Sequence, residues 1–184
     1  LSKKLGASFI RKKLYSSAFQ LTGAGIRRPY FLSLLAETYG KIEQLEEGLI
    51  ALAEALAVVQ KTGERRDEAE LYRLKGELTL QLKVEREKWK EEEQKAKIGT
   101  ALCFLMPDVQ GEAEACFLKA IDIACMQPAK MLELHATVSL ARLWRQQGKR
   151  HEARQRLAAI YNWFTEGFDT VDLKEAKALL EELM

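Results

Sequence analysis

Three cysteines and two histidines are the residues of this 184-residue chain best suited to nucleophilic or metal chemistry. Their spacing argues against both. Cys116 and Cys125 lie nine positions apart within one helical stretch. At about 100° per residue they are half a turn out of phase, so they face opposite sides and cannot chelate one ion together. Cys103, Cys116 and Cys125 are therefore read as small apolar residues. His135 and His151 are separated by a helix and a turn and lack the one-turn spacing of a paired metal site, so they read as surface or groove histidines. Gly23-Ala24-Gly25 precedes Ile26 without the Lys and Ser/Thr that a phosphate loop needs, which leaves a turn between helices. The acidic runs Glu46-Glu47, Glu91 to Glu93 and Glu181-Glu182 place neighbouring carboxylates on diverging directions of charge-rich helices, not face to face as an acid/base pair requires. The expectation is no catalytic residue, no metal ligand set and no cofactor.

Cations are more informative. Arg142, Arg145 and Lys149 fall at i, i+3 and i+7 on one helical face, Arg150 and Arg154 follow on the next helix, and Arg11, Lys12 and Lys13 form a second cluster. A nucleic-acid footprint needs such groups merged into one stripe, preferably with exposed aromatics. The acids around them and a net charge of only +2 make a nucleic-acid-binding helical repeat the alternative reading, and a solvated or protein-facing surface the main one. A small all-α enzyme using Cys or His is a further alternative. It would need a cysteine within hydrogen-bond reach of His135 or His151.

The elements that position these groups are helical. Apolar residues make up 47% and charged residues 30% of the chain, and three prolines occur. Together with sparse β-branched residues, this favours a soluble all-α protein. An odd cysteine number argues for a reducing compartment. Uncharged runs such as Ile98 to Pro107 are far short of a membrane span, and no secretory signal pattern opens the chain, so a cytoplasmic location and no membrane partner are expected. Leu1 in place of Met suggests a piece of a longer protein.

A repeat organises these helices. Gly48, Leu52 and Ala55 recur as Ala113, Phe117 and Ala120, and again as Ala153, Leu157 and Ile160, the last two sets 40 residues apart. A small residue, a large one four on and a small or medium one three further suit the second helix of a packed hairpin. The first hairpin begins after Arg27-Arg28-Pro29, where Leu32, Leu35, Ala36 and Tyr39 approximate the W-x2-L-G-x2-Y pattern of a tetratricopeptide helix. Its second helix runs from about Leu45 to Gln60 and stops at Thr62-Gly63. The second hairpin starts at Asp67 as N-cap, with Leu71, Leu74, Leu78 and Leu82 as stripe and Gly76 as the close-contact residue. An insertion spans about 83–110, with Glu91–Lys95 and Glu93–Lys97 pairs able to prolong the preceding helix. In a second possible register, Thr100, Ala101 and Phe104 stand one period before Leu140, Ala141 and Trp144, but Pro107 would cut that helix short. The third hairpin follows Pro128 and turns at Gly148. After Gly167 a last helix starts at about Thr170, with Asp169 as N-cap and Phe168–Leu173 as staple. The expected architecture is a right-handed superhelical stack of tetratricopeptide-like hairpins with a period of about 40 residues: 1–26 a truncated preceding helix, 27–168 three hairpins, 169–184 a capping helix. Tyr39, Phe117, Trp144 and Trp163 are expected to pack in the core.

Such a stack turns the first helix of each hairpin toward a concave face. That face would hold Tyr30, Ser33, Glu37 and Lys41, then Glu70, Arg73 and Glu77, then His135, Val138, Arg142 and Arg145. The mixture of charge and hydrogen-bonding groups suits a protein or peptide partner better than a small buried substrate.

RRPYFLSLLAETYG, EAELYRLKGEL, EAEACFLKAIDIA, SLARLWRQQGKRHEAR and the closing YNWFTEGFDTVDLKEAKALLEEL cover most of the chain from Arg27 onward. Together they resemble the tetratricopeptide-like C-terminal region of large bacterial signalling ATPases, including class III adenylate/guanylate cyclases fused to an ATPase module and related ATP-dependent transcriptional regulators. The charged insertion departs from the tighter second hairpin of that group. The resemblance implies a non-catalytic interaction or sensory segment that couples partner binding to upstream ATPase and output domains, with those domains of its own chain among the expected partners.

Overall fold

The structure, a computed structural model, describes residues 27–95 and 108–184. The expected helix at 1–26, Cys103 and the alternative register around Thr100 to Phe104 lie outside the described residues. Those described form seven helices and no strand: α1 (Arg28–Lys41), α2 (Leu45–Thr62), α3 (Glu68–Lys95), α4 (Val109–Met126), α5 (Lys130–Gln146), α6 (Arg150–Tyr161) and α7 (Val171–Glu182). Each helix packs on the next in sequence, and α1, α3, α5 and α7 also pack on one another in series.

Side-chain size dictates this arrangement. All nine signature positions are buried: Gly48, Leu52 and Ala55 on α2, Ala113, Phe117 and Ala120 on α4, and Ala153, Leu157 and Ile160 on α6. Leu78 of α3 seats in a notch between α1 and α2, where a Cβ added to Gly40 or to Gly48 would come within 2.7 Å of its methyl groups. Phe117 of α4 lies flat over Gly76 of α3 so closely that an added Cβ would meet its ring at 2.6 Å. These contacts join the helix pairs into a chain of adjoining cores. Leu32, Leu52, Leu71 and Leu78 lie in the first. Phe117, Leu140 and Leu143 form the middle, and Leu134, Leu157, Leu173 and Leu179 the last.

The turns follow from local chemistry. Gly63, Gly148 and Gly167 take left-handed φ values of 73°, 81° and 77°; the first two reverse the chain just past the ends of α2 and α5, and Gly167 turns it into the start of α7, its carbonyl accepting from the Thr170 N–H at 3.0 Å. At Gly148 the Lys149 N–H returns to the Trp144 carbonyl at 2.8 Å. Leu71 N–H donates to the Asp67 carbonyl at 3.1 Å, which puts Asp67 at the N-terminal boundary of α3.

α3 continues to Lys95, past the expected start of the insertion at about 83. Three expectations are corrected. Thr170, not Asp169, is the N-cap residue of α7, its φ/ψ of −66°/153° extended and its hydroxyl donated to the Gly167 carbonyl. With Thr170 as N-cap, Phe168 and Leu173 no longer hold the positions of a staple, and the exposed Phe168 sits against Tyr161 with ring centroids 5.8 Å apart. Trp163 is 57% exposed, because it lies beyond the end of α6 where no following helix covers it. Trp144 does pack, but half-buried: its indole N–H donates to Glu114 at 2.9 Å and so stays at the edge of the core.

Phe117→Ala should cost about 3–5 kcal/mol, because a fully buried ring is replaced by a cavity over Gly76 that helical backbone cannot fill. Urea unfolding followed by circular dichroism measures this. A loss below about 1 kcal/mol would mean that α3 and α4 are not held by this contact.

Candidate functional site

The series α1–α3–α5–α7 carries the eleven residues expected on the face, and their environments differ. Tyr30 is half-buried, edge-on to Phe31, with the Arg27 guanidinium 4.8 Å from its ring centroid. Glu37 holds Lys41 at 2.7 Å across one helical turn. Ser33 is only 5% exposed and its hydroxyl donates to the Tyr30 carbonyl at 2.7 Å, so it serves the helix and offers nothing to a ligand. One turn of sequence explains this: position 33 follows Leu32 on the side turned toward α2 and α3.

Arg73 is the most enclosed cation of the face. Its Nε and Nη2 donate to Glu70 at 2.8 and 2.5 Å, and Nη1 donates to Glu77 at 2.6 Å. Burial acts to lower its pKa, but the two carboxylates outweigh that and raise it, so the guanidinium stays charged throughout any working pH. Glu77 is held from a second side by the Ser139 hydroxyl of α5 at 2.8 Å. A charged network centred on Arg73 thus runs along α3 and is joined to α5 through the Ser139–Glu77 hydrogen bond.

On α5 the sequence-expected cations are already matched. Arg142 pairs with Glu175, and Arg145 with Glu182, both on α7. His135 Nε2 lies 3.0 Å from Asp172 Oδ1 without the alignment of a hydrogen bond. Lys149 turns the other way, 3.4 Å from Glu114, and Arg150 and Arg154 stand exposed on α6. Among the described residues, the basic positions therefore do not merge into one stripe; Arg11, Lys12 and Lys13 lie outside them. The α7 carboxylates are the part of this site that residue-type reasoning passed over. Their signal was present in the sequence as acids at 172, 175 and 182, spaced so that one helical face can follow the cations of α5.

Arg73, Glu77, His135, Val138, Ser139, Arg142, Asp172 and Glu175 line a cleft of about 160 Å³ at this junction. Its walls carry donors and acceptors in near balance, which suits recognition of a polar segment and lacks any convergent set for bond breaking. Cys116 is buried and Cys125 exposed. Burial pushes both thiols up, with nearby Glu112 and Glu133 adding to the effect. A cysteine nucleophile needs the opposite shift. Among the described residues no group of three or more His, Cys, Asp or Glu is placed to hold a metal ion, and no helix is long and apolar enough to cross a membrane. Comparison of the chain with family models and with curated protein sequences finds no match.

Neutralising the acidic face of α7 with Asp172→Asn, Glu175→Gln and Glu182→Gln should lower the melting temperature by a few degrees, since exposed ion pairs contribute up to about 1 kcal/mol each. The difference from wild type should shrink toward zero in about 1 M salt, where such pairs are screened. An undiminished difference at high salt would show that these side chains act through packing.

Proposed function

We propose that this chain is a non-catalytic, tetratricopeptide-like interaction module whose α1–α3–α5–α7 face receives a protein or peptide segment. The observation that supports it most is the serial packing of every second helix. It brings polar side chains of α3, α5 and α7 together along one cleft, and α1 packs on α3 beside them. A partner lying along that surface contacts several repeats at once, and each repeat adds a modest term to affinity. Tyr30, Glu37, Lys41, Glu70 and the Arg73–Glu77–His135–Arg142 cleft are the groups in reach of such a partner. Arg142 and Arg145 have a double role, because any acidic ligand must displace Glu175 and Glu182 to reach them. The sequence resemblance supports a place in a cytoplasmic bacterial signalling ATPase, cyclase fusion or transcriptional regulator, with partner binding transmitted to upstream domains.

The test uses peptides selected on the immobilised protein from a displayed random library, then mapped by hydrogen exchange. Protection is expected on α1, α3 and α5, with binding reduced about tenfold or more by Tyr30→Ala combined with Lys41→Glu, a size of effect typical of an interface hot spot. Melting should be nearly unchanged in that variant, since neither side chain is a core residue. Protection confined to α2, α4 and α6, or equal binding by the double variant, would remove the reading.

A further inference from the structure

A second surface lies where the C-terminal ends of α4 and α6 meet the start of α5. It is independent of the proposed peptide face. Ile121 and Cys125 lie one turn apart on α4, Lys130, Glu133 and Thr137 share one side of α5, and Arg156, Ala159 and Ile160 share one side of α6. With Trp163 they enclose a cleft of about 260 Å³.

Three features of this cleft are not accounted for by the fold. The first is Trp163, a large apolar ring left 57% exposed at its edge, while Phe164 meets the indole edge-on at 5.2 Å and 86° and fixes its plane. The second is charge. Lys130 is matched by Glu133 at 2.7 Å, but no carboxylate among the described residues pairs with Arg156, so the lining carries one uncompensated cation. The third is the floor, where the exposed Ala159 lies beside the nearly buried Ile121 and Ile160, with Thr137 spent on its own helix through the Glu133 carbonyl at 2.7 Å. Lys130 Nζ stands 5.6 Å from the Trp163 ring centroid, so the ring face is already in an electropositive setting.

We infer that this cleft is a binding site for a small planar apolar anion, an aryl or indolyl carboxylate in chemical class, stacked on Trp163 with its charge on the Arg156 guanidinium. The flat body covers the exposed indole and the apolar floor, which removes apolar surface from water. The carboxylate supplies the fork-shaped acceptor that a free guanidinium lacks. A neutral ligand of the same shape would leave Arg156 unmatched, and a cation would be repelled by it.

The probe is 2-naphthoate, compared with its neutral analogue 2-naphthamide. Cys125 lines the cleft and is exposed, so its alkylation by iodoacetamide, followed by peptide mass spectrometry, reports occupancy. The Trp163 indole N–H resonance, assigned by its loss in Trp163→Ala, reports stacking. Expected are saturable protection of Cys125 and a shift of the Trp163 resonance by naphthoate, with naphthamide weaker by about fivefold, the effect of roughly one exposed ion pair. Arg156→Gln, at an exposed position, should keep its helicity and bind the two probes equally. Equal binding of acid and amide by wild type, or an acid preference that survives Arg156→Gln, would overturn the assignment of the anion to Arg156. Absence of any saturable effect by about 5 mM probe, beyond the weakest useful affinity, would overturn the site itself.

Discussion

Close approach of helices through missing side chains is the constraint on which the described structure rests. Leu78 occupies the space left by Gly40 and Gly48, and Phe117 the space left by Gly76. Both contacts set a large residue of one helix on a glycine of another, so interaxial distance is decided by atoms that are absent. Close packing makes this unforgiving: an interior has no slack to take up a methyl group where 2.6–2.7 Å separates the neighbour from an added Cβ. Because Leu78 and Gly76 lie on α3, that single helix registers the first pair against the second. The polar side of α3, with Glu70, Arg73 and Glu77, is aimed by the same contacts.

Electrostatics then finishes what packing begins. Arg73, held by Glu70 and Glu77, with Ser139 bound to Glu77, ties α3 to α5. The pairs from Arg142 and Arg145 tie α5 to α7. The first network is enclosed and geometrically specific, whereas the second lies half in water and contributes less per pair. The stability of α7 therefore comes mainly from Leu173, Ala176, Leu179 and Leu183, all buried. Its carboxylates define the charge that a partner meets. A face that reads as basic along α5 alone becomes balanced once α7 is in place.

The two candidate surfaces differ in physical kind. The cleft at Arg73 and His135 has its charges satisfied and suits a partner that exchanges one set of polar contacts for another, with specificity more than raw affinity as the gain. The cleft at Trp163 and Arg156 leaves an apolar ring and a cation uncovered, so an occupant adds contacts without displacing any. They lie on different faces of α5, one lined by Lys130, Glu133 and Thr137 and the other by His135, Val138, Ser139 and Arg142, and share only that helix as a support.

Sequence alone determined that the described chain is helical, where most helices stop, and which residues fill the interior. Glycine turns at 63, 148 and 167 and the nine signature positions are local or periodic properties, legible because conformational preference and a 3.6-residue repeat act within one segment. The tertiary structure alone decided which polar groups remain available. Ser33 was legible as a face residue, yet its burial depends on the rotation of α1 against α2 and α3. Arg142 and Arg145 were legible as a basic pair, yet their partners come from a helix about thirty residues further on, and ion pairing across helices has no local period to reveal it. Trp163 was legible as a core aromatic by type, but burial is a property of neighbours, and beyond the end of α6 there is none to cover it.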